Sequence, residues 1–399
     1  MHTLFLILSA FVWVVKCTHL SYTIEEYAAL SSSLLANYSS KIRPIWDQGQ
    51  SLNMEVSLWI SAINDVSDVN QKMITTGYLY VNWKDEMITW NSTTTGIYWM
   101  QFNQKDLWMP DLVLKNGFTA FKPLGGDFYF VSVDFDGTVS WYPYAVFESK
   151  CDIDVTYYPF DRQTCNIVFK TWSYSRWEIN LTVSEEMVGF YEFVPNSVWE
   201  VTSTDATYDV SYSETDITFI INLRRKPFYY IINLFLPITF LGILSPVVFI
   251  IPADAGEKMG YAVTIFLTFV VFLTIVSGQL PVNSESVSNM SIYLIIKLLF
   301  GALIIFITSL QLRLHHRKSD RKIGKVFRCM VRIERRLRCL NGNSIDIAGA
   351  ESKDTDVKEI GPNIEWIDVS SAIDFYSFWV LLLADIVVSA VLFTYSAMH

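Results

Sequence analysis

GEKMGYAVTIFLTFVVFLTIVSGQLP, Gly256 to Pro281, is long enough to cross a bilayer, which takes about 20 residues at 1.5 Å each. It is not uniformly apolar. Gly260, Thr264, Leu267, Val271, Thr274 and Gly278 recur in steps of four and three, so they share one helical face. That face is small or polar at both ends and apolar in the middle. Glu257 and Lys258 form a charged pair at its N-terminal mouth. Two readings fit the stretch alone: a helix that packs through small residues, or the lining of a pore. The surrounding chain decides between them.

The chain has 399 residues, too many for one small domain, and 51% of them are hydrophobic. That content fits a membrane protein. The net charge of −10 is unevenly spread. Between Arg313 and Arg338 stand eleven Lys/Arg against two acids. Beside an apolar span, such a run marks the cytoplasmic side more often than nucleic-acid binding. Leu4 to Val15 read as the core of a signal peptide, with Val15 and Cys17 suited to the cleavage site. Cys151 and Cys165 then fall in an exported part that permits a disulfide, whereas Cys329 and Cys339 fall in the basic, reducing part.

Tyr22 to Tyr38 carries an apolar stripe of helical period. From Leu52 the period becomes two: Leu52, Met54, Val56, Leu58 and Ile60 alternate with polar residues. Similar short runs recur at Tyr78–Trp83, Phe128–Val133, Asn166–Phe169 and Ile217–Leu223, with turn signals such as Asp136-Gly137 between them. This pattern predicts an all-β, immunoglobulin-like sandwich. Asn37, Asn91 and Asn180 each begin a glycosylation sequon, consistent with export. Four apolar runs follow: Phe228–Ile251, the opening stretch, Ile292–Leu312 and Phe375–Ala397. Four spans return the C-terminus to the side of the sandwich. The basic segment then occupies the long loop on the opposite side, turning polar near Asn341–Glu359. The expected divisions are a signal peptide over 1–20, an extracellular sandwich over 21–226 and spans one to three over 227–312, with the pore helix at 257–280. A cytoplasmic loop over 313–373 and a fourth span with a short extracellular end over 374–399 complete the plan.

Cys151 and Cys165 flank Tyr158-Pro159-Phe160-Asp161. A bridge between them would pin a short loop, worth about 3 kcal/mol in the loop-entropy picture. With the Pro-Phe-Asp sequence inside it, the loop resembles that of the Cys-loop receptors, the pentameric ligand-gated ion channels, and most of all their nicotinic branch. The resemblance extends over nearly all of the chain after the signal. It includes Trp83-x-Asp85 with Trp90, Trp108-Met-Pro-Asp111 and Trp172-Ser-Tyr174. It continues through Arg224-Arg225, Pro252-Ala-Asp-Ala-Gly-Glu-Lys258 and Trp366. It implies a β-sandwich extracellular domain over an α-helical four-helix bundle, with five chains around an axis lined by the second span.

The resemblance also implies a ligand site between subunits, an aromatic box whose π faces hold a cation for roughly 0.5–2 kcal/mol each. By position, Trp172, Tyr78 and Tyr174 fall in the binding loops, Tyr208 and Tyr212 in the closing hairpin, and Tyr142 and Ser140 on the complementary side. Lys115 stands where the nicotinic pattern has a box tyrosine. It repels a quaternary ammonium unless it turns away or pairs with an acid. The hairpin Asp205–Thr215 lacks the adjacent cysteine pair. These departures speak against acetylcholine and leave an anionic or zwitterionic ligand, or none. Ser288 replaces a usual proline in the loop between the second and third spans. Asp68, Asp161, Phe160 and Arg225 match the interface that couples sandwich to spans.

Fivefold symmetry would turn Glu257 into a ring of carboxylates at the cytoplasmic mouth, and acidic rings favour cations. Lys258 is about 100° away on the helix and can face elsewhere. Anion-selective members carry a Pro-Ala insertion and no glutamate here. Leu267 and Val271 would form apolar rings, Thr264 and Thr274 hydroxyl rings, and Gly278 an uncharged outer mouth. The expected function is a plasma-membrane, cation-selective channel gated by a small extracellular ligand, a homo- or hetero-pentamer among lipids, with both termini outside. An accessory, non-conducting subunit and an anion channel are the alternatives. No metal spacing, nucleophile triad or phosphate loop points to an enzyme or a cofactor.

Overall fold

The computed structural model describes residues 22–211, 214–280, 287–317, 323–338 and 364–398. The signal-peptide reading, Tyr212 of the closing hairpin, Cys339 and the polar segment Asn341–Glu359 lie outside the described residues. A helix, Ile24–Leu35, opens the described part behind a capping box: Thr23 accepts from the Glu26 amide, and the Glu26 side chain reaches back.

Eleven strands follow. They are β1 (Leu52–Ser67), β2 (Lys72–Lys84), β3 (Trp99–Asn103), β4 (Leu112–Leu114), β5 (Phe130–Asp134) and β6 (Thr138–Trp141), then β7 (Tyr144–Lys150), β8 (Arg162–Thr171), β9 (Ile179–Val194), β10 (Trp199–Val210) and β11 (Thr215–Arg225). One sheet runs β3-β5-β6-β2-β1-β9 with β7 continuing beside β2; the other runs β10-β11-β8-β4. The period-two pattern has its expected cause. Leu52, Met54, Val56, Leu58 and Ile60 of β1 are all buried, as are Leu79, Val81 and Trp83 of β2. Between the sheets Trp83 meets Trp108 edge-on at 6.0 Å, and Phe169 meets both Phe147 and Phe219. Cys151 and Cys165 are joined by a disulfide whose β8 half is buried in this core.

Among the described residues, four helices are long and apolar enough to cross a membrane: Phe228–Ile250, Lys258–Ser277, Asn289–His315 and Trp366–Met398. The first widens over Ile231–Phe235 just before Pro237 and tightens over Ser245–Ile250 at Pro246. The missing proline amides account for both irregular turns. Ser288 caps the third span, its hydroxyl accepting from the Met290 amide at 3.2 Å. The fourth helix begins at Trp366, ahead of the apolar run at Phe375, because Trp366, Val369 and Ala372 pack with Val331 of the amphipathic helix Lys325–Leu337.

Candidate functional site

The alternation of β2 turns Tyr78 and Tyr80 away from the core. β1 sets Trp59 opposite Tyr78, and the rings stack 6.1 Å apart and nearly parallel. Gly189 of β9 makes room for this stack: a Cβ there would come within 2.5 Å of the Trp59 ring. Tyr142 and Tyr191 meet Tyr78 edge-on, each at 6.0 Å, and Tyr142 stacks on Tyr80 at 5.1 Å. Ser140 of β6 lies beside them, its hydroxyl 3.5 Å from that of Tyr80. Partial burial raises the Tyr78 and Tyr142 phenols above the ordinary tyrosine range. Tyr78, Ser140 and Tyr142 therefore form one aromatic surface. Trp59, Tyr80 and Tyr191, which join it, were not singled out from sequence; Trp59 and Tyr80 sit at outward strand positions that the alternation does mark.

A second group occupies the other sheet and its loops. Trp172 follows β8 and is 58% exposed. The Trp-Met-Pro-Asp aspartate holds it there, because Asp111 accepts from the Trp172 amide through its carbonyl at 3.2 Å and from the Ser173 amide through Oδ2 at 2.6 Å. Phe121 packs on the indole at 4.7 Å. Lys115 pairs with Asp216 of β11. That hydrogen bond holds the lysine above its ordinary pKa. Tyr208, on β10, is exposed. Tyr174 is turned inward: its hydroxyl accepts from the Trp108 indole at 3.2 Å and its ring packs on Trp108, so it braces the loop rather than lining its surface. Tyr78 thus belongs to one sheet, and Trp172 follows a strand of the other.

At the membrane end of the sandwich Asp68, Asp161 and Arg225 converge. Arg225 Nε donates to Asp161 Oδ1 at 2.7 Å, and Nη2 donates to Asp161 Oδ2 at 3.0 Å and to both Asp68 oxygens at 2.8 and 2.9 Å. The guanidinium lies 4.2 Å from the Trp199 ring centroid. Burial works against its charge, but the two carboxylates outweigh it and hold the arginine above its ordinary pKa. Several contacts carry the disulfide loop onto the spans, among them the following. Phe160 meets Phe393 edge-on at 5.5 Å, the Thr156 carbonyl accepts from the Asn289 amide at 2.9 Å, and the Tyr158 hydroxyl donates to Gln279 at 3.4 Å. Of the sequons, Asn37 and Asn91 are exposed, while the Asn180 amide donates to Asn53.

The second span shows two unlike faces. Ala262, Phe269 and Val276 are buried against the neighbouring spans. Glu257, Gly260, Thr264, Leu267, Val271, Thr274 and Gly278 are all exposed. Thr264 donates its hydroxyl proton to the Gly260 carbonyl at 2.8 Å, and Thr274 to that of Val271 at 2.7 Å. What each presents outward is oxygen lone pairs, which suit a cation's hydration shell. Lys258 turns the other way, 1% exposed, and pairs with Asp374 of the fourth span at 2.7 Å. Inside the bundle Lys297 pairs with Asp385 and donates to Ser389 at 2.9 Å. Sequence reading missed this pair, although a charge within each apolar run was the available signal.

Residues 27–227 match the family pattern described as the neurotransmitter-gated ion-channel ligand binding domain, and 234–344 that of the neurotransmitter-gated ion-channel transmembrane region. The neuronal acetylcholine receptor subunit alpha-6 of Mus musculus is 32% identical over 305 residues, 73% of this chain and 60% of that protein. The alpha-6 subunit of Gallus gallus is 31% identical over 305 residues, again 73% and 60%. The neuronal acetylcholine receptor subunit beta-3 of Homo sapiens is 32% identical over 302 residues, 74% of this chain and 66% of that protein. The chain therefore spans about three fifths to two thirds of the length of the relatives it matches.

Proposed function

The chain belongs to the neurotransmitter-gated ion-channel family, in its nicotinic acetylcholine receptor-like branch, and on that premise we propose that it is a subunit of a pentameric, cation-selective channel of the plasma membrane. An extracellular ligand bound between subunits opens it. The observation that carries the proposal is the division of the second span. Its glycine, threonine, leucine and valine stripe is exposed among the described residues, while the opposite face is packed. Leu267 and Val271 are 55% and 54% exposed, an unfavourable arrangement for water but a suitable one for a dewetting gate at the centre of a ring. Glu257 faces the same way at the inner mouth. Its basic neighbour is withdrawn into the bundle and paired with Asp374, so five copies would present carboxylates and no lysines.

Gating in this reading starts at the interface. The aromatic surface around Tyr78 supplies one half of a site and the Trp172 loop of the next subunit the other. Ligand closure there moves the hairpin β10–β11, at whose membrane end Arg225 is clamped by Asp68 and Asp161. The disulfide loop then bears on Asn289 and Phe393 of the third and fourth spans. The sandwich and the end of the fourth span lie outside, and the basic helix Lys325–Leu337 lies inside. A subunit that lends only its Tyr78 face to a mixed pentamer is a second reading, favoured by the self-paired state of Lys115.

Expression of the full chain in oocytes, alone and with nicotinic-type subunits, under a panel of amines and amino acids tests the proposal. The expected current reverses with the sodium gradient, and Glu257→Gln weakens that dependence. A reversal potential that follows chloride would overturn the cation assignment.

A further inference from the structure

The π face of Trp172 is not vacant. Lys170 stands two positions before it, and its ammonium lies 5.2 Å from the indole centroid, within cation–π range. Glu214 also holds this ammonium, at 3.1 Å, and Lys170's side chain is only 13% exposed. Phe121 covers part of the ring. A second ammonium close by, that of Lys115, is fixed to Asp216.

We propose that Lys170 is a built-in cation that occupies the place a ligand ammonium would take over Trp172, so that this face rejects simple organic cations and admits a ligand presenting a carboxylate. This rests on the reading of the Trp172 loop as half of an interface site. The physical reason is competition. A tethered ammonium acts at a high effective concentration, set by a tether of two residues. An incoming cation must displace it and then sit beside it, because Glu214 keeps the lysine near. A carboxylate gains instead, by taking over one lysine from its acid. Sequence inspection singled out Lys115 but passed over Lys170, whose side chain reaches the indole from the end of β8.

The test is binding rather than current, so a chain that never conducts would fail the proposed function and leave this inference standing. Saturation-transfer NMR on the purified full chain in detergent measures tetramethylammonium and glycine. Wild type and Lys170→Arg are expected to bind tetramethylammonium weakly, and Lys170→Gln about tenfold more tightly. Adding Trp172→Ala to Lys170→Gln removes that gain, and glycine binding falls in Lys170→Gln. Equal tetramethylammonium affinity in wild type, Lys170→Arg and Lys170→Gln overturns the proposal, as does a gain that survives Trp172→Ala. Glycine binding that is unchanged by Lys170→Gln overturns its carboxylate half.

Discussion

Arg225 shows how much one side chain commits. It is 3% exposed as a whole residue, bidentate to Asp161, and bonded to both oxygens of Asp68. A buried charge stripped of its partner costs about 3–5 kcal/mol. Asp161→Asn is therefore expected to lower the unfolding temperature of the purified chain and its surface yield more than Asp68→Asn does, since the Asp68 side chain keeps 12% exposure. Equal effects of the two would mean that the clamp is not the organised unit described. Lys115 gives a pH expectation. Its pKa is raised by Asp216, so the contribution of the pair is complete below the ordinary lysine range and is lost only as pH rises through the raised value. Surface recognition at this position is expected to stay flat between about pH 6 and 9, which a ligand titration across that window checks against Lys115→Gln. At this scale Asp161, in Pro-Phe-Asp, and Arg225, in Arg-Arg, were marked by motifs and Asp68 by its position in the resemblance, and the structure brings the three together. The sequence did not reveal that Trp172 and Lys170 touch, since side-chain reach past a strand end follows from tertiary geometry.

Among the elements, the third and fourth spans are joined by a buried pair that no hydropathy pattern requires. Lys297 and Asp385 face each other, Ser389 donates its hydroxyl back to the Asp385 carbonyl at 2.8 Å, and Tyr293 lies 3.1 Å from Ser389. Gly242 of the first span leaves the space they fill; a Cβ there would press on both charged groups. Asp385→Ala leaves the lysine uncompensated and is expected to cost about 3–5 kcal/mol of bundle stability. The double change Lys297→Leu with Asp385→Leu should recover most of it. Thermal unfolding of detergent-purified variants reads the cycle, and a double variant as damaged as the single one would contradict it. Strands and spans were legible because period two and long apolar runs each have one structural solution. The helix Trp366–Met398 was read short. Its first turns are polar on one side and gain helical form from packing on Val331, a long-range contact with no local signature.

For the whole molecule the decisive feature is incompleteness. The chain carries an aromatic surface on one sheet, a tryptophan loop on the other, and a second span whose stripe is exposed among the described residues. The proposed ring of like chains or relatives, in which one chain's Tyr78 surface would meet the next chain's Trp172 loop, would account for each. Particles of five chains are expected in native mass measurements of the detergent-solubilised assembly; a monomer under conditions that preserve folding would contradict the ring. The family motifs made the sandwich and the four spans readable from sequence, and residue spacing marked the Gly260–Gly278 stripe as one face of the second span; the structure adds that Ala262, Phe269 and Val276 are the packed positions opposite it. Cysteine substitution along that span measures this division most directly. Currents through Thr264→Cys, Leu267→Cys, Val271→Cys and Thr274→Cys channels are expected to be blocked by a charged thiol reagent, and those through Ala262→Cys, Phe269→Cys and Val276→Cys to be spared. Block at the second set with sparing of the first would contradict the account.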